Sequence, residues 1–200
     1  MERRNYDMSL VCEDSATPVL VGYAAVFNSK SRVMKAKNGT FTEMVMSGAF
    51  ANTITKPNIM ALWNHDTSAP LGRTGADTLS LLEDSNGLKV TIVPPDTTVG
   101  RDTVISIKRG DITNMSFGFN VIRENWTKDE NGVPLRQILE VDLFEVSPTT
   151  FPAYEATAIG VRSEHDINMP EIPDLDRSSD TENVSAQERK RRLAYYNLAV

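Results

Sequence analysis

Short runs of apolar and β-branched residues, each closed by turn-forming residues, recur along most of this chain. PVLVGYAAVF at 18–27 ends at the turn signal NSKS, and NIMALW at 58–63 is a similar run. TLSLLED at 78–84 and GLKVTIVPP at 87–95 are joined by a short polar segment, which predicts a hairpin turn at 84–87. Runs of this kind are typical of buried or half-buried strands. The pattern therefore predicts a β-rich body.

Two segments read as helices instead. MSGAFANTI at 46–54 has Ser47 as a possible N-cap, and TTVGRDTVISIKRGD at 97–111 is closed by Gly110. The apolar residues of the second segment follow a helical stripe: Val99, Val104, Ile105 and Ile107. We predict an α+β, β-rich fold, a closed or partly open antiparallel β-barrel surrounded by a few helices.

The composition excludes several classes of function. The net charge of −6 and the pI near 5.0 argue against a protein that wraps nucleic acid, because phosphate binding needs a basic face. Cys12 is the only cysteine, so neither an intramolecular disulfide nor a cysteine-based zinc cluster can form. No apolar stretch approaches the ~20 residues of a membrane span, and the N-terminus lacks the apolar region of a signal peptide. We expect a soluble, intracellular protein with no membrane partner.

Charge also divides the chain into a body and a tail. Residues 1–162, the predicted functional domain, carry a net charge of −3. Residues 163–183 carry one basic and seven acidic side chains with two prolines, which predicts a disordered acidic linker. In residues 184–200, Ser185 and Glu188 form a capping box before four cations, which predicts a short basic C-terminal helix. That helix is either a solvated end or a targeting element.

One carboxylate breaks the alternation of the strand ILEVDLFEV at 138–146. Strict alternation would place Glu145 on the same face as the apolar residues Leu139, Val141 and Leu143. A carboxylate on such a face is costly to bury without a partner. Glu145 therefore needs a cation or a hydrogen-bond donor.

The segment TNMSFGFN at 113–120 contains a serine with unusual neighbours. On a strand, the Ser116 hydroxyl points to one face and the large side chains of Met115 and Phe117 point to the other. Gly118 is on the same face as Ser116 and leaves room beside the hydroxyl. The ordinary interpretation is a polar residue on a strand. A serine nucleophile needs a positioned base, usually histidine.

The choice of base is narrow, since the chain has two histidines. His165 lies in the acidic tail. His65 follows the predicted strand at 58–63, and the junction of a strand with a loop can fix the orientation of an imidazole. The alternative is a lone histidine that caps a loop. A third group must orient the imidazole: Glu145 is the first candidate, Asp142 the second, and Asp66 a weaker one because adjacent side chains on an extended segment point apart.

These segments resemble the prohead (procapsid) maturation serine proteases of tailed bacteriophages, which are related in fold to the herpesvirus assemblin proteases. The resemblance covers residues 20–162. The matching segments, in the family's order, are GYAAVFN at 22–28, EMVMSGAF at 43–50, ALWNHDTSAPLGRT at 61–74, KRGDI at 108–112, NMSFGF at 114–119 and LFEVSPTTFPAYEATAIGVR at 143–162.

The resemblance implies a serine endopeptidase with Ser116 as nucleophile and His65 as general base. The herpesvirus relatives use a second histidine as the third member, whereas the phage branch has an acidic residue, which implies Glu145. The implied substrates are the scaffold or the scaffold-like segment of the major capsid protein, and the enzyme itself. The implied location is the immature capsid in the host cytoplasm. The assemblin-like enzymes also suggest a possible homo-oligomer, and the reaction needs no cofactor.

The main alternative is a catalytically silent structural or scaffolding protein of the virion, in which Ser116 and His65 are merely packed. A metal-dependent hydrolase is excluded, because one histidine and one cysteine in the body cannot make the usual site.

Overall fold

The computed structural model describes residues 1–6, 10–13, 18–150 and 169–175. These residues form strands and one α-helix, α1 (Thr98–Arg109). The strands are β1 (Glu2–Tyr6), β2 (Val11–Glu13), β3 (Val19–Val26), β4 (Met34–Ala36), β5 (Gly39–Val45), β6 (Met60–Trp63), β7 (Asp66–Arg73), β8 (Leu79–Glu83), β9 (Gly87–Ile92), β10 (Asn114–Lys128) and β11 (Pro134–Thr149). A 3-10 turn, Thr74–Ala76, follows β7.

The larger sheet has seven strands and is organised around the long β10–β11 pair. Its order is β1-β10-β11-β5-β4, and β6 also pairs with β11 and with β7. β11 runs antiparallel to β10 but parallel to both β5 and β6. The sheet is therefore mixed: the antiparallel pairing predicted for the barrel holds for most of its strand pairs, but not for β11 with β5 and β6. Parallel neighbours arise because the chain crosses over between β5 or β6 and β11 through intervening elements.

The smaller sheet has the order β2-β3-β9-β8 and is antiparallel throughout. It confirms the strand predicted at 18–27 and the predicted β8–β9 hairpin, in which Asp84 accepts backbone hydrogen bonds from Asn86 and Gly87. The β-rich character is thus confirmed. Within the described residues the ladders do not close into a barrel, so the barrel stays a prediction.

One face of β10, the strand that contains Ser116, packs against the apolar core. Met115, Phe117 and Phe119 of β10 are fully buried. The Phe117 ring meets the Phe50 ring edge to face at 5.4 Å and stacks on the Phe119 ring at 4.8 Å. Alternate residues of a strand point to opposite faces. Ser116 and Gly118 consequently lie on the other face, as predicted.

Helix α1 confirms the helix predicted at 97–111. Thr97 caps its first turn by accepting a hydrogen bond from the Gly100 backbone N–H. Gly110 ends it in the left-handed conformation, with φ of 79°. No helix in the described part of the chain is long and apolar enough to cross a membrane.

The helix predicted at 46–54 is wrong. This segment forms successive turns, closed by hydrogen bonds of the i to i+3 type such as Ala49 N–H to Met46 O and Thr53 N–H to Phe50 O. Gly48 has φ of 88°, which a right-handed helix cannot contain. Ala49 and Phe50 are nevertheless buried, so tertiary packing and not helical periodicity explains their apolar character.

Residues 169–175 lie against the turn between β4 and β5. The Lys37 N–H donates to the Pro170 carbonyl, and the Asn38 side chain exchanges hydrogen bonds with the Ile172 backbone N–H and C=O, both at 2.8 Å. This segment falls inside the predicted acidic linker. The rest of that linker and the predicted C-terminal helix lie outside the described residues. The domain boundaries at 162 and 183 therefore stay predictions.

Candidate active site

His65 occupies a two-residue hairpin turn between β6 and β7. Trp63 pairs with Asp66, and the two residues between them, Asn64 and His65, have φ of 49° and 63°. Two successive left-handed residues are the mark of a type I′ turn, which matches the twist of the flanking strands. The Asn64 N–H donates to the Pro148 carbonyl at 3.0 Å, so the turn is attached to β11. His65 is therefore presented at a rigid position beside β11.

The imidazole of His65 meets the carboxylate of Glu145. The distance between Nδ1 of His65 and Oε1 of Glu145 is 2.7 Å, and both side chains are largely buried. The Ser147 hydroxyl donates to the other oxygen, Oε2 of Glu145, at 2.6 Å. A buried carboxylate with two such partners is fully accommodated. The predicted need of Glu145 for a hydrogen-bond partner is confirmed.

The face on which Glu145 lies differs from the prediction. Gly118 pairs with Glu145, but the next pair is Phe119 with Leu143, so Phe144 is an extra residue on β11. This β-bulge reverses the alternation of β11. Leu143 remains on the core face opposite Phe119, whereas Glu145 lies opposite Gly118 on the other face. The alternation in the sequence predicted the wrong face for Glu145 because it gives no sign of the extra residue, Phe144, in the strand.

Ser116 shares that second face with Glu145. It pairs with Ser147 across the β10–β11 ladder, two positions along the ladder from the Gly118–Glu145 pair. Directly opposite residues of antiparallel strands have Cβ atoms ~5 Å apart on the same face. Ser116 is fully buried, and its hydroxyl donates to the Arg4 carbonyl of β1 at 3.0 Å. The structure thus gathers Ser116, Glu145 and His65 on one side of the sheet.

The other two candidate carboxylates have different partners. Asp142 forms an ion pair with Lys56, and Asp66 accepts hydrogen bonds from the backbone N–H and hydroxyl of Ser68. The Ser68 hydroxyl, with the Ser68 backbone N–H, lowers the pKa of Asp66. In the described part of the chain, Glu145 is the carboxylate that bonds the His65 ring. His165 lies outside the described residues.

The room that Gly118 leaves on this face is occupied by the carboxylate of Glu145. A Cβ atom at position 118 would lie 2.3 Å from Oε1 of Glu145. Such a contact is far inside van der Waals separation. The Glu145 carboxylate can occupy its position beside His65 because position 118 of the neighbouring strand β10 lacks a side chain.

Two contributors to this site were missed from sequence, Ser147 and Arg4. Ser147 follows Glu145 by two residues, and this spacing on a strand is the signal that could have placed it on the same face. Nothing local to Arg4 predicts its role, because its carbonyl reaches Ser116 through the β1–β10 pairing.

An open cavity of about 230 Å³ adjoins the His65–Glu145 pair. Its walls are mostly apolar, with one cation from β1. The residues lining it are Met1, Arg3, Met60, Leu62, His65, Thr67, Phe144 and Glu145. Among the described residues, no cluster of three or more histidine, cysteine or acidic side chains has the arrangement of a metal site.

Comparison with known proteins identifies relatives of this chain. A family model described as caudovirus prohead serine protease matches residues 4–171. The prohead protease of Enterobacteria phage HK97 is 28% identical over 174 residues, which cover 85% of this chain and 68% of the phage HK97 protein. No solved structure matches the chain.

Proposed function

The chain belongs to the caudovirus prohead serine protease family and is a serine protease of phage procapsid maturation; from this premise we propose that Ser116 is the nucleophile, His65 the general base and Glu145 the orienting carboxylate. The observation that carries the assignment is the 2.7 Å contact between His65 Nδ1 and Glu145 Oε1 on the sheet face that Ser116 shares. A base held by a carboxylate beside a serine is the arrangement that serine proteases require.

The geometry assigns a role to each ring nitrogen of His65. Because Nδ1 is bonded to Glu145, Nε2 is the nitrogen available to accept the proton of Ser116. Ser116 Oγ then attacks the peptide carbonyl, and the protonated His65 delivers its proton to the leaving amine. Water hydrolyses the acyl-enzyme by the same base. Glu145 stays ionised and stabilises the imidazolium through the cycle.

Ser116 must change its hydrogen bond to enter this cycle. Its hydroxyl donates to the Arg4 carbonyl in the present arrangement, so rotation about its Cα–Cβ bond has to bring Oγ to His65 Nε2. The cavity beside His65 and Glu145, walled by Met60, Leu62 and Phe144, offers space for a substrate side chain next to the proposed base. Substrate that displaces water there strengthens the electrostatic interactions of the pair.

The proposed substrates are capsid proteins inside the assembling shell. The family implies cleavage of the scaffold or of the scaffold-like segment of the major capsid protein, within the procapsid in the host cytoplasm. We also propose self-cleavage in residues 163–183, since acidic segments with prolines are readily threaded in extended form into a protease cleft.

Co-expression with the capsid protein tests the assignment. Ser116→Ala and His65→Ala should each lower the cleavage rate by at least ~10³-fold, as for other triads. Ser80→Ala, which removes an exposed hydroxyl from β8, is the matched control and should cleave like wild type. The intact mass of the mature wild-type chain locates the self-cleavage site. If both variants retain the wild-type pattern, these residues are packed and not catalytic.

A further inference from the structure

The Ser147 hydroxyl contacts both the proposed general base, His65, and its orienting carboxylate, Glu145. Ser147 is fully buried in β11. Its Oγ donates to Oε2 of Glu145 at 2.6 Å and accepts a hydrogen bond from the backbone N–H of His65 at 3.3 Å. No other described side chain makes hydrogen bonds to both residues. Ser147 thereby connects the carboxylate to the turn that carries the imidazole.

The two bonds constrain different degrees of freedom. Donation to an ionised carboxylate is a charge-assisted bond, among the stronger hydrogen bonds in proteins, and it fixes the rotation of the Glu145 head group. With Oε2 held by Ser147, Oε1 is aimed at Nδ1 of His65. The bond from the His65 N–H holds the left-handed turn against β11, beside the Asn64 bond to the Pro148 carbonyl.

The pairing of β10 with β11 also places Ser147 next to Ser116. Ser147 is the cross-strand partner of Ser116. The residue that bonds both His65 and Glu145 therefore lies directly beside the proposed nucleophile. Ser147 itself is unsuited to the nucleophile's role, because it meets His65 through the backbone N–H and gives its own proton to Glu145.

We propose that Ser147 is a positioning residue that sets Glu145 and His65 at the distance and angle needed for proton transfer from Ser116, without contacting the substrate. This inference rests on the proposed triad. Removing the hydroxyl leaves Oε2 of Glu145 and the His65 N–H without this partner in a buried site. The carboxylate and the turn then gain freedom, and misplacement by about 1 Å at a reacting pair costs about 10²-fold in rate.

Steady-state kinetics on the purified full chain, with a peptide spanning the capsid cleavage site, test the proposal. Ser147→Ala should lower kcat by about 10²-fold and leave KM nearly unchanged, because the substrate does not touch the hydroxyl. Ser147→Thr, which restores the hydroxyl, should recover most of the loss. Thr53→Ala is the control: it removes another buried hydroxyl bonded to β11, at the Leu143 N–H, and should keep wild-type kcat.

A spectroscopic readout separates positioning from general destabilisation. In the inactive Ser116→Ala background, the proton of His65 Nδ1 should give a strongly downfield proton resonance through its bond to Glu145. Adding His165→Gln removes the second histidine and makes the assignment unambiguous. Adding Ser147→Ala should broaden or shift that resonance, and adding Thr53→Ala should leave it in place.

The outcomes distinguish this inference from the proposed function. Wild-type kcat in Ser147→Ala, with Ser116→Ala and His65→Ala inactive, overturns the positioning role alone. Equal losses in Ser147→Ala and Thr53→Ala overturn it as well. Activity in Ser116→Ala or His65→Ala overturns the triad. Should Ser147→Ala fail to fold, Ser147→Cys replaces it, since a thiol is a weaker donor; its kcat must still fall while KM holds.

Discussion

At position 118 the backbone of β10 runs directly against the carboxylate of Glu145. Gly118 lies on the same sheet face as Ser116, and its lack of a side chain leaves space for Glu145, one of the three proposed catalytic groups. The chain thus uses a glycine where a strand would normally favour a branched residue.

Gly118→Ala should reduce cleavage by about 10²-fold, because a Cβ atom 2.3 Å from Oε1 of Glu145 must push the carboxylate away from His65. Initial rates on a capsid-derived peptide measure the loss. Gly110→Ala is the control: it has open space but φ of 79°, so it should lower stability by about 1 kcal/mol and leave the rate unchanged. Wild-type activity in Gly118→Ala would contradict the described Glu145 geometry.

At the scale of elements, β1 is held to the body by a buried ionic cluster. Arg4 and Arg136 pair with Glu43, and Arg136 also contacts Glu2 and Glu124. The Arg4 guanidinium additionally lies over the Phe119 ring at 5.5 Å. Strand β1 brings the Arg4 carbonyl to Ser116, so this cluster determines what faces the proposed nucleophile.

The ionic cluster lowers the pKa of Glu2. Burial raises the pKa, but the hydrogen bond from Arg136 and the charges of Arg4 and Arg136 more than offset it, so the pKa lies below 4.5. Burial lowers the pKa of Arg136, and its contacts with Glu2, Glu43 and Glu124 raise it well above its ordinary value. The attachment is therefore strongest with Glu2 ionised.

Because the folded pKa of Glu2 is depressed, its contribution to stability is complete above the unfolded value of 4.5 and is lost as pH falls through the folded pKa. The free energy of unfolding of Glu2→Gln should therefore be lower than that of wild type at pH 7, and the gap should close on acidification. Urea titrations between pH 7 and pH 2.5 measure it. Asp96→Asn, at an exposed pair with Arg101, should show little difference at any pH. A gap that widens on acidification would contradict the linkage.

For the whole molecule, we propose that the body and the C-terminal tail have separate roles. Residues 169–175 lie against the β4–β5 turn, bonded to Lys37 and Asn38. Beyond them the sequence changes from acidic to basic, with four consecutive cations at 189–192. We interpret the basic end as an element that recruits the enzyme into the assembling shell.

Deletion of residues 184–200 should lower incorporation of the protease into procapsids while cleavage of a soluble peptide stays at the wild-type rate. Quantitative immunoblotting of purified procapsids measures incorporation. Replacing the four cations at 189–192 by glutamine tests whether charge carries the recruitment, and should reproduce most of the loss. Unchanged incorporation of both variants would refute a targeting role for this segment.

The β-rich class, the helix at 97–111 and the proposed catalytic residues could all be predicted from the amino-acid sequence. The strands and the helix depend on local information, namely turn and capping residues. The choice of Ser116, His65 and Glu145 rested also on the resemblance to the prohead proteases, because alternation and the scarcity of histidine left alternatives open. The helix predicted at 46–54 failed because tertiary packing, with Gly48 at positive φ, shaped that segment.

The assembly of the site, in contrast, depends on the three-dimensional fold. The bulge at Phe144 moves Glu145 to the face of Ser116, and the parallel pairing of β6 with β11 brings His65 alongside. The pairing of β1 with β10 brings the Arg4 carbonyl to the Ser116 hydroxyl. Ser147 acquired its contacts in the same way. The physical reason is that the register between strands some 80 residues apart is set by long-range hydrogen bonds and packing, which local patterns do not encode.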